Sequence, residues 1–320
     1  HTRGVKVHLA LNTLMDEAAL DSATAAGCFA QEVGVDALIV QDLGLAKRLR
    51  ACCTLPLHAS TQMTVYNPVG LAQVRELGFK RCIPARELSL AEIKQLCDTG
   101  LAEIEVFGHG ALCMGYSGQC LFSYALGGRS GNKGTCAQPC RLPYTIFKGD
   151  RVGAFSPAAY HLSPQDLCTL PFLDRLIATG AHALKIEGRL KIPEYVAIVT
   201  RIYREALDRI QAGDVPYYTE KDMSALALSF CRTGFTSGHM LGKMPSSAIT
   251  LNMPGRTGLL CGKTVSAARE KKLSVPVFDI DIFTEQPIRK GDGLVFRPES
   301  SKTQGDRVGE SSEGIVNIIR

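Results

Sequence analysis

Four cysteines, Cys113, Cys120, Cys136 and Cys140, fall within a span of 28 residues in a chain that has 12 in all. Their spacing is Cys-x6-Cys-x15-Cys-x3-Cys. Thiolates gathered in this number can hold zinc or an iron–sulfur cluster, or remain unligated. Zinc sites usually pair two short knuckles, and here only the second pair is that close. Glycines at 115, 118, 127, 128, 131 and 134 let the backbone wrap a bulky cofactor and aim amides at sulfur. The spacing therefore leans toward an iron–sulfur cluster, with zinc and free thiols left open. The other eight cysteines are scattered among apolar residues. Cys168, following Asp166 and Leu167, is expected to begin a helix, as a packed thiol rather than a reactive one.

The loop needs a scaffold, and the first half of the chain repeats one pattern. A short apolar run ends in polar residues and is followed by an amphipathic stretch. The runs are 5–11, 37–40, 57–62, 81–84, 103–107 and, after a long interruption, 183–186. Helical spacing covers 13–27, 43–51, 68–77, 89–99 and 193–212, and Ser89 with Glu92 forms a capping-box pattern. Alternating units of this length predict parallel βα repeats. The expected fold is α/β, a (β/α) TIM-like barrel over 1–215 with six units, incomplete for want of N-terminal ones. The start lacks a methionine, which agrees with missing upstream residues. The interruption, 108–143, reads as a functional loop at the strand ends. A hairpin is expected over 144–154. From 216 to 320 a short helix (221–230), a glycine-marked loop (232–238) and strands at 258–265, 274–283, 291–296 and 314–319 predict a smaller β-rich domain, read as a small barrel.

Polar residues at the C-terminal strand ends are the candidates for a pocket, because a (β/α) barrel builds its site there. They are Asp42, His58, Gln62, Arg86, Glu87, Glu105, His109, Lys185, Glu187 and Arg189. Glu105, His109 and Glu187 are the candidates for acid–base roles; Asp42, His58, Gln62, Arg86, Lys185 and Arg189 are the candidate substrate contacts. The competing expectation is that each simply pairs with a neighbouring strand end.

Composition narrows the classes. Hydrophobic residues make up 45% and charged residues 21%, which excludes a disordered or supercharged chain. No apolar run reaches the roughly 18–20 residues of a membrane helix, and no secretory signal is present, so a cytoplasmic location is expected. A net charge of +5 permits nucleic acid without arguing for it. Arg297, Lys302, Arg307 and Arg320 form a loose basic rim in the tail.

The segments 105–113, 118–123, 128–141, 162–167, 184–189 and 193–196 together resemble the signature of peptidase family U32, the collagenase-like proteases. Residues 12–14, 40–42 and 58–63 match as well, and Phe122 stands where an aliphatic residue is usual. The resemblance implies a 4Fe-4S cluster on Cys113, Cys120, Cys136 and Cys140, with an electron donor. It implies O2-independent hydroxylation of a tRNA uridine or a 23S rRNA cytidine, with prephenate as co-substrate. Arg86, Lys185 and Arg189 would then hold its carboxylates, since guanidinium binds carboxylate bidentately. The family name itself implies a peptidase, although no His-Glu-x-x-His or Gly-x-Ser-x-Gly motif is present. Other relatives imply hydroxylation of a quinone precursor. Oligomeric state is not legible.

Overall fold

The computed structural model describes residues 2–149, 158–251, 258–270, 277–284, 288, 293–298 and 314–319. The chain divides into two units: His1–Glu187 with Phe235–Met253, and Gly188–Gly234 with Pro254–Arg320.

The first unit is built on parallel strands joined by helices. In chain order these are β1 (His8–Leu11), α1 (Glu17–Glu32), β2 (Ala37–Val40), α2 (Leu43–Cys52), β3 (Leu57–Ala59), α3 (Pro68–Glu76), β4 (Arg81–Cys82), α4 (Leu90–Asp98) and β5 (Glu103–Ala111). There follow α5 (Phe122–Gly127), β6 (Asp166–Cys168), α6 (Leu173–Ile177) and β7 (Ala183–Ile186). β1 to β5 pair in sequence, all parallel, and β7 pairs parallel with β5. The six expected βα strands are thus present, in the expected order. They do not close: among the described residues β1 and β7 each keep one unpaired side, as six units, short of a full barrel, should, and the fold is an α/β one on an open, mostly parallel sheet.

Side-chain caps start the helices. Asp42 caps α2, Asn67 caps α3 with Pro68 in its first turn, and the Ser89–Glu92 capping box opens α4. β2 is buried along its whole length, as a strand covered on both faces should be. Helix α1 begins at Glu17, later than the periodicity predicts, because Asp16 caps it and the Leu14 amide donates to the Asn132 carbonyl (2.9 Å) instead of entering a helix.

The loop after β5 differs from expectation at both ends. β5 runs on to Ala111, since its last residues gain an antiparallel partner, β6. Cys168 ends that strand rather than beginning a helix, and it is buried. β6 in turn pairs with β8 (Phe235–Thr236), inside the segment read as a glycine loop. Within 108–143 lie α5, closed by Gly128 at φ +70°, and 3₁₀ turns at Gly131–Lys133 and Pro139–Arg141. Of the expected hairpin, an antiparallel bridge between Tyr144 and Ala159 is present; residues 150–154 lie outside the described residues.

The second unit contains α7 (Pro193–Ala212), α8 (Glu220–Ser229) and an antiparallel sheet of β9 (Leu259–Glu270), β10 (Val277–Thr284), β11 (Gly293–Pro298) and β12 (Gly314–Ile319). Among the described residues the sheet order is β10-β9-β12-β11, an open four-stranded sheet where a small barrel was expected, with Cys261 buried against Leu228, Ile282 and Leu294. α7 is amphipathic: Tyr195, Val199, Ile202, Tyr203 and Ala206 are buried, while Arg201–Glu205 and Arg204–Asp208 pair at i,i+4. Of the tail's basic residues, Lys302, Arg307 and Arg320 lie outside the described residues. Among the described residues no helix is long and apolar enough to cross a membrane.

Candidate functional site

The cysteine loop is seated on the strand ends by one serine. The Glu87 carboxylate, just past β4, accepts from the Ser117 amide (2.9 Å), the Ser117 hydroxyl (3.3 Å) and the Tyr66 hydroxyl (3.1 Å). The Ser117 hydroxyl also accepts from the Arg86 amide (3.1 Å), and the Ser117 carbonyl accepts from the Thr64 hydroxyl (2.7 Å). Ser117 is buried. The next residue must be glycine: Gly118 has φ +75°, and a Cβ there would stand 2.2 Å from the Gln62 carbonyl oxygen. Tyr66 is held protonated, its pKa raised by burial and by the Glu87 charge.

The far end of the loop is tied by Arg141. Its guanidinium donates to the Leu112 carbonyl (2.8 Å), the Ser163 hydroxyl (2.8 Å) and the Pro164 carbonyl. Leu112 precedes the first cysteine and Arg141 follows the last, so one side chain joins the loop's two ends. Between them, the Ala137 amide donates to Ser123 Oγ (2.9 Å), and Lys133 pairs with Asp16 (3.6 Å).

These ties bring the four thiols within electrostatic reach of one another. Burial raises the Cys113 pKa; the Gly115 amide and the Arg86 charge oppose this, and Cys120 and Cys136 add to it. Burial likewise raises Cys140, opposed by Arg141 and reinforced by the other three thiols. Gly115 packs against Cys120, where a Cβ would meet Sγ at 3.0 Å. The Gln138 amide, on a residue at φ +57°, donates to Cys136 Sγ (3.3 Å). Among the described residues no three His, Cys, Asp or Glu side chains are arranged to hold a single metal ion.

Beside Cys113, Arg86 pairs with Glu187 (3.1 Å) and lies over the Phe107 ring, 3.9 Å from its centroid. Its Nε is buried with no hydrogen-bond partner among the described residues. Gly110 (φ +118°) lets Glu187 approach, since a Cβ there would stand 2.7 Å from the Glu187 carbonyl oxygen.

Other candidates form a second group on one face of the sheet. Glu105 is buried and pairs with Arg81 (3.0 Å) and Lys185 (3.3 Å), and Arg81 also pairs with Glu103 (2.6 Å). His58 is buried, meets His8 edge-on (4.9 Å), and leaves Nδ1 without a hydrogen-bond partner among the described residues. Burial, then the Arg81 charge, lowers its pKa from 6.5 to about 4. For Glu105 and Lys185 the observed contacts are thus ion pairs between neighbouring strands.

The remaining candidates are separate. Asp42 caps α2, accepting from Leu45 (2.9 Å) and Met15 (3.3 Å) amides. His109 is buried against Phe235, with ring centroids 5.4 Å apart. Gln62 sits in a 3₁₀ turn, its carbonyl facing Gln41 Nε2 (3.5 Å). Arg189 is exposed and belongs to the second unit. Sequence reasoning passed over Arg81, Tyr66, Ser117 and Arg141. Of these, only Arg141, directly after the last cysteine, carried a signal.

A family model described as peptidase family U32 matches residues 1–250, and the chain belongs to that family. Among its curated relatives, the 23S rRNA 5-hydroxycytidine synthase of Escherichia coli K12 is 34% identical over 299 residues, 92% of this chain and 44% of that protein. The tRNA hydroxylation protein P of the same organism is 32% identical over 258 residues, covering 65% of this chain and 56% of its own length. A collagenase of Porphyromonas gingivalis is 32% identical over 257 residues, 75% of this chain and 61% of that protein. The chain spans roughly half the length of the curated relatives it matches. A solved U32 peptidase aligns with 60% of this chain and 73% of its own at 13% identity, with a TM-score of 0.36.

Two outcomes are expected. His58 is held neutral when folded, so it contributes stability that is complete above pH 6.5 and is lost as pH falls through about 4. His58→Gln should remove of the order of 2 kcal/mol of the stability difference between pH 7 and pH 4, read by urea unfolding at each pH. In the metal-free chain, Arg86→Met removes a cation acting on Cys113, so the pH profile of Cys113 alkylation should move to higher pH. An unmoved profile would separate Arg86 from the thiols.

Proposed function

We propose that this chain carries the cluster-binding part of an O2-independent RNA hydroxylase, with a 4Fe-4S cluster held by Cys113, Cys120, Cys136 and Cys140. The observation that carries the reading is the gathering of four thiols beside Arg86 and Glu187 at the strand ends. The residues suit a cluster: Arg86 and Arg141 offset thiolate charge, and amides of Gly115 and Gln138 donate to sulfur, as iron–sulfur sites require. When bound, the cluster supplies electron transfer.

The chain's own groups then bind and orient. Arg86 is the cation for a carboxylate of the co-substrate, proposed to be prephenate, and Phe107 and Glu187 fix the plane of its guanidinium. Lys185, paired with Glu105, and the exposed Arg189 are the further candidate cations for that role. Glu187, paired with Arg86, is the candidate acid–base group. RNA is favoured as the other substrate because the similarity to the rRNA synthase extends over 92% of this chain, beyond the family-model match. A collagenase-like peptidase is the second reading, favoured by the collagenase relative.

The test is anaerobic purification with iron and sulfide counts, beside the Cys113→Ala/Cys120→Ala variant. About four irons and four sulfides per chain, lost in the variant, are expected. RNA from cells with and without the active protein should then differ by one oxygen in mass. Zinc alone, with gelatin cleavage that survives loss of the cysteines, would put the peptidase first.

A further inference from the structure

Outside the cysteine loop, two thiols from different helices meet. Cys28 lies near the end of α1 and Cys52 is the last residue of α2, and their Sγ atoms stand 2.8 Å apart. That is short of the about 2.05 Å of a disulfide bond, yet both cysteines are free. The helices are held together here without the thiols. Gly27 packs against Leu49, where a Cβ would stand 2.3 Å from Cδ2, and Gln31 Oε1 accepts from the Thr54 amide (2.6 Å) and hydroxyl (3.0 Å). Bond formation therefore asks for little backbone movement, the usual obstacle to a new crosslink. Cys52 is exposed and Cys28 partly so, which admits small reagents, whereas the adjacent Cys53 is buried. The contact with Cys28 pushes the Cys52 thiol up to about 11, so the two sulfurs interact before any bond forms.

We propose that Cys28 and Cys52 form a reversible disulfide that clips the C-terminal ends of α1 and α2 together. The oxidant is a low-molecular-weight disulfide. The thiolate of one cysteine attacks one of its sulfurs, forming a mixed disulfide and releasing one small thiol. The other cysteine, losing its proton, then displaces the second small thiol. Two protein thiols and one small disulfide become one protein disulfide and two small thiols: the protein pair loses two electrons, and the reagent gains them.

The clip lies at the end of α1 opposite its N-cap, and it is that N-cap which touches the cysteine loop. Asp16, the cap of α1, pairs with Lys133 of the loop, and Asp42, the cap of α2, accepts from Met15. Oxidation would therefore stiffen the supports of the loop without consuming a thiol from it.

The full chain, prepared anaerobically, is equilibrated with glutathione mixtures of graded oxidised-to-reduced ratio, quenched in acid, alkylated and digested with trypsin. The expected result is a crosslink between peptides 7–47 and 51–75, two hydrogens lighter than their sum. Alkylation of Cys28 and Cys52 should fall together by about ten-fold as it forms. The crosslink should survive Cys53→Ser and vanish in Cys28→Ser and in Cys52→Ser, each of which should carry a single glutathione instead. Independent glutathionylation of Cys28 and Cys52 in the unaltered chain, with no crosslink, would overturn the proposal. So would a crosslink that Cys53→Ser abolishes. Mapping the unaltered chain decides the matter even where a variant fails to fold.

Discussion

Everything distinctive about the first unit depends on where Ser117 sits. Its amide and hydroxyl both donate to Glu87, its carbonyl accepts from Thr64, and its hydroxyl accepts from the amide of Arg86. A half-buried carboxylate that accepts three hydrogen bonds, two of them from the buried Ser117, is costly to leave unpaired, so the loop has one low-energy seat. With this seat fixed and Arg141 closing the far end, four cysteines spread over 28 residues of sequence are gathered beside the strand ends. The same contact also places the Arg86 backbone, and with it the guanidinium that acts on Cys113. Scaffold, loop and site charge are coupled through a single residue pair.

Behind that seat lies an ionic layer of a different character. Arg81, Glu103, Glu105 and Lys185 neutralise one another across β4, β5 and β7, and neutral His58 packs beside them. Phe107 separates the two levels: Arg86 lies 3.9 Å from its centroid and Lys185 5.9 Å. Breaking one partner of such a layer leaves the other buried and uncompensated, which is costly, although a fully apolar replacement need not be. The layer fixes which strands neighbour β5, whereas the residues at the strand ends remain for chemistry.

Much of the fold was legible because its signals are local. β2, β7 and α7 begin and end where their apolar runs and helical spacing do, and Ser89 caps α4 as its pattern predicts. What escaped was long-range. The pairing of β6 with β5 and β8 joins segments far apart in sequence, and three-residue strands carry almost no periodicity. The barrel-like curvature was inferred from a repeat count, and a repeat fixes strand order without fixing curvature. Within the site, cysteine spacing was readable because four rare residues share one segment. Glu105 and Lys185 were not separable from substrate contacts, because an ion pair across 80 residues leaves no mark in either residue's neighbourhood. Ser117 was missed for the same reason: nothing nearby in sequence shows that its partner is 30 residues upstream.

The most direct test is amide hydrogen exchange across residues 113–120 in the Glu87→Ala variant and the unaltered chain, both metal-free. The account predicts exchange at Ser117 and Gly118 faster by about ten-fold or more, the equivalent of losing hydrogen bonds to a charged acceptor, with β2 and β3 unchanged. Equal exchange in the two proteins would mean that the loop is seated by something other than Glu87, and the account would fail.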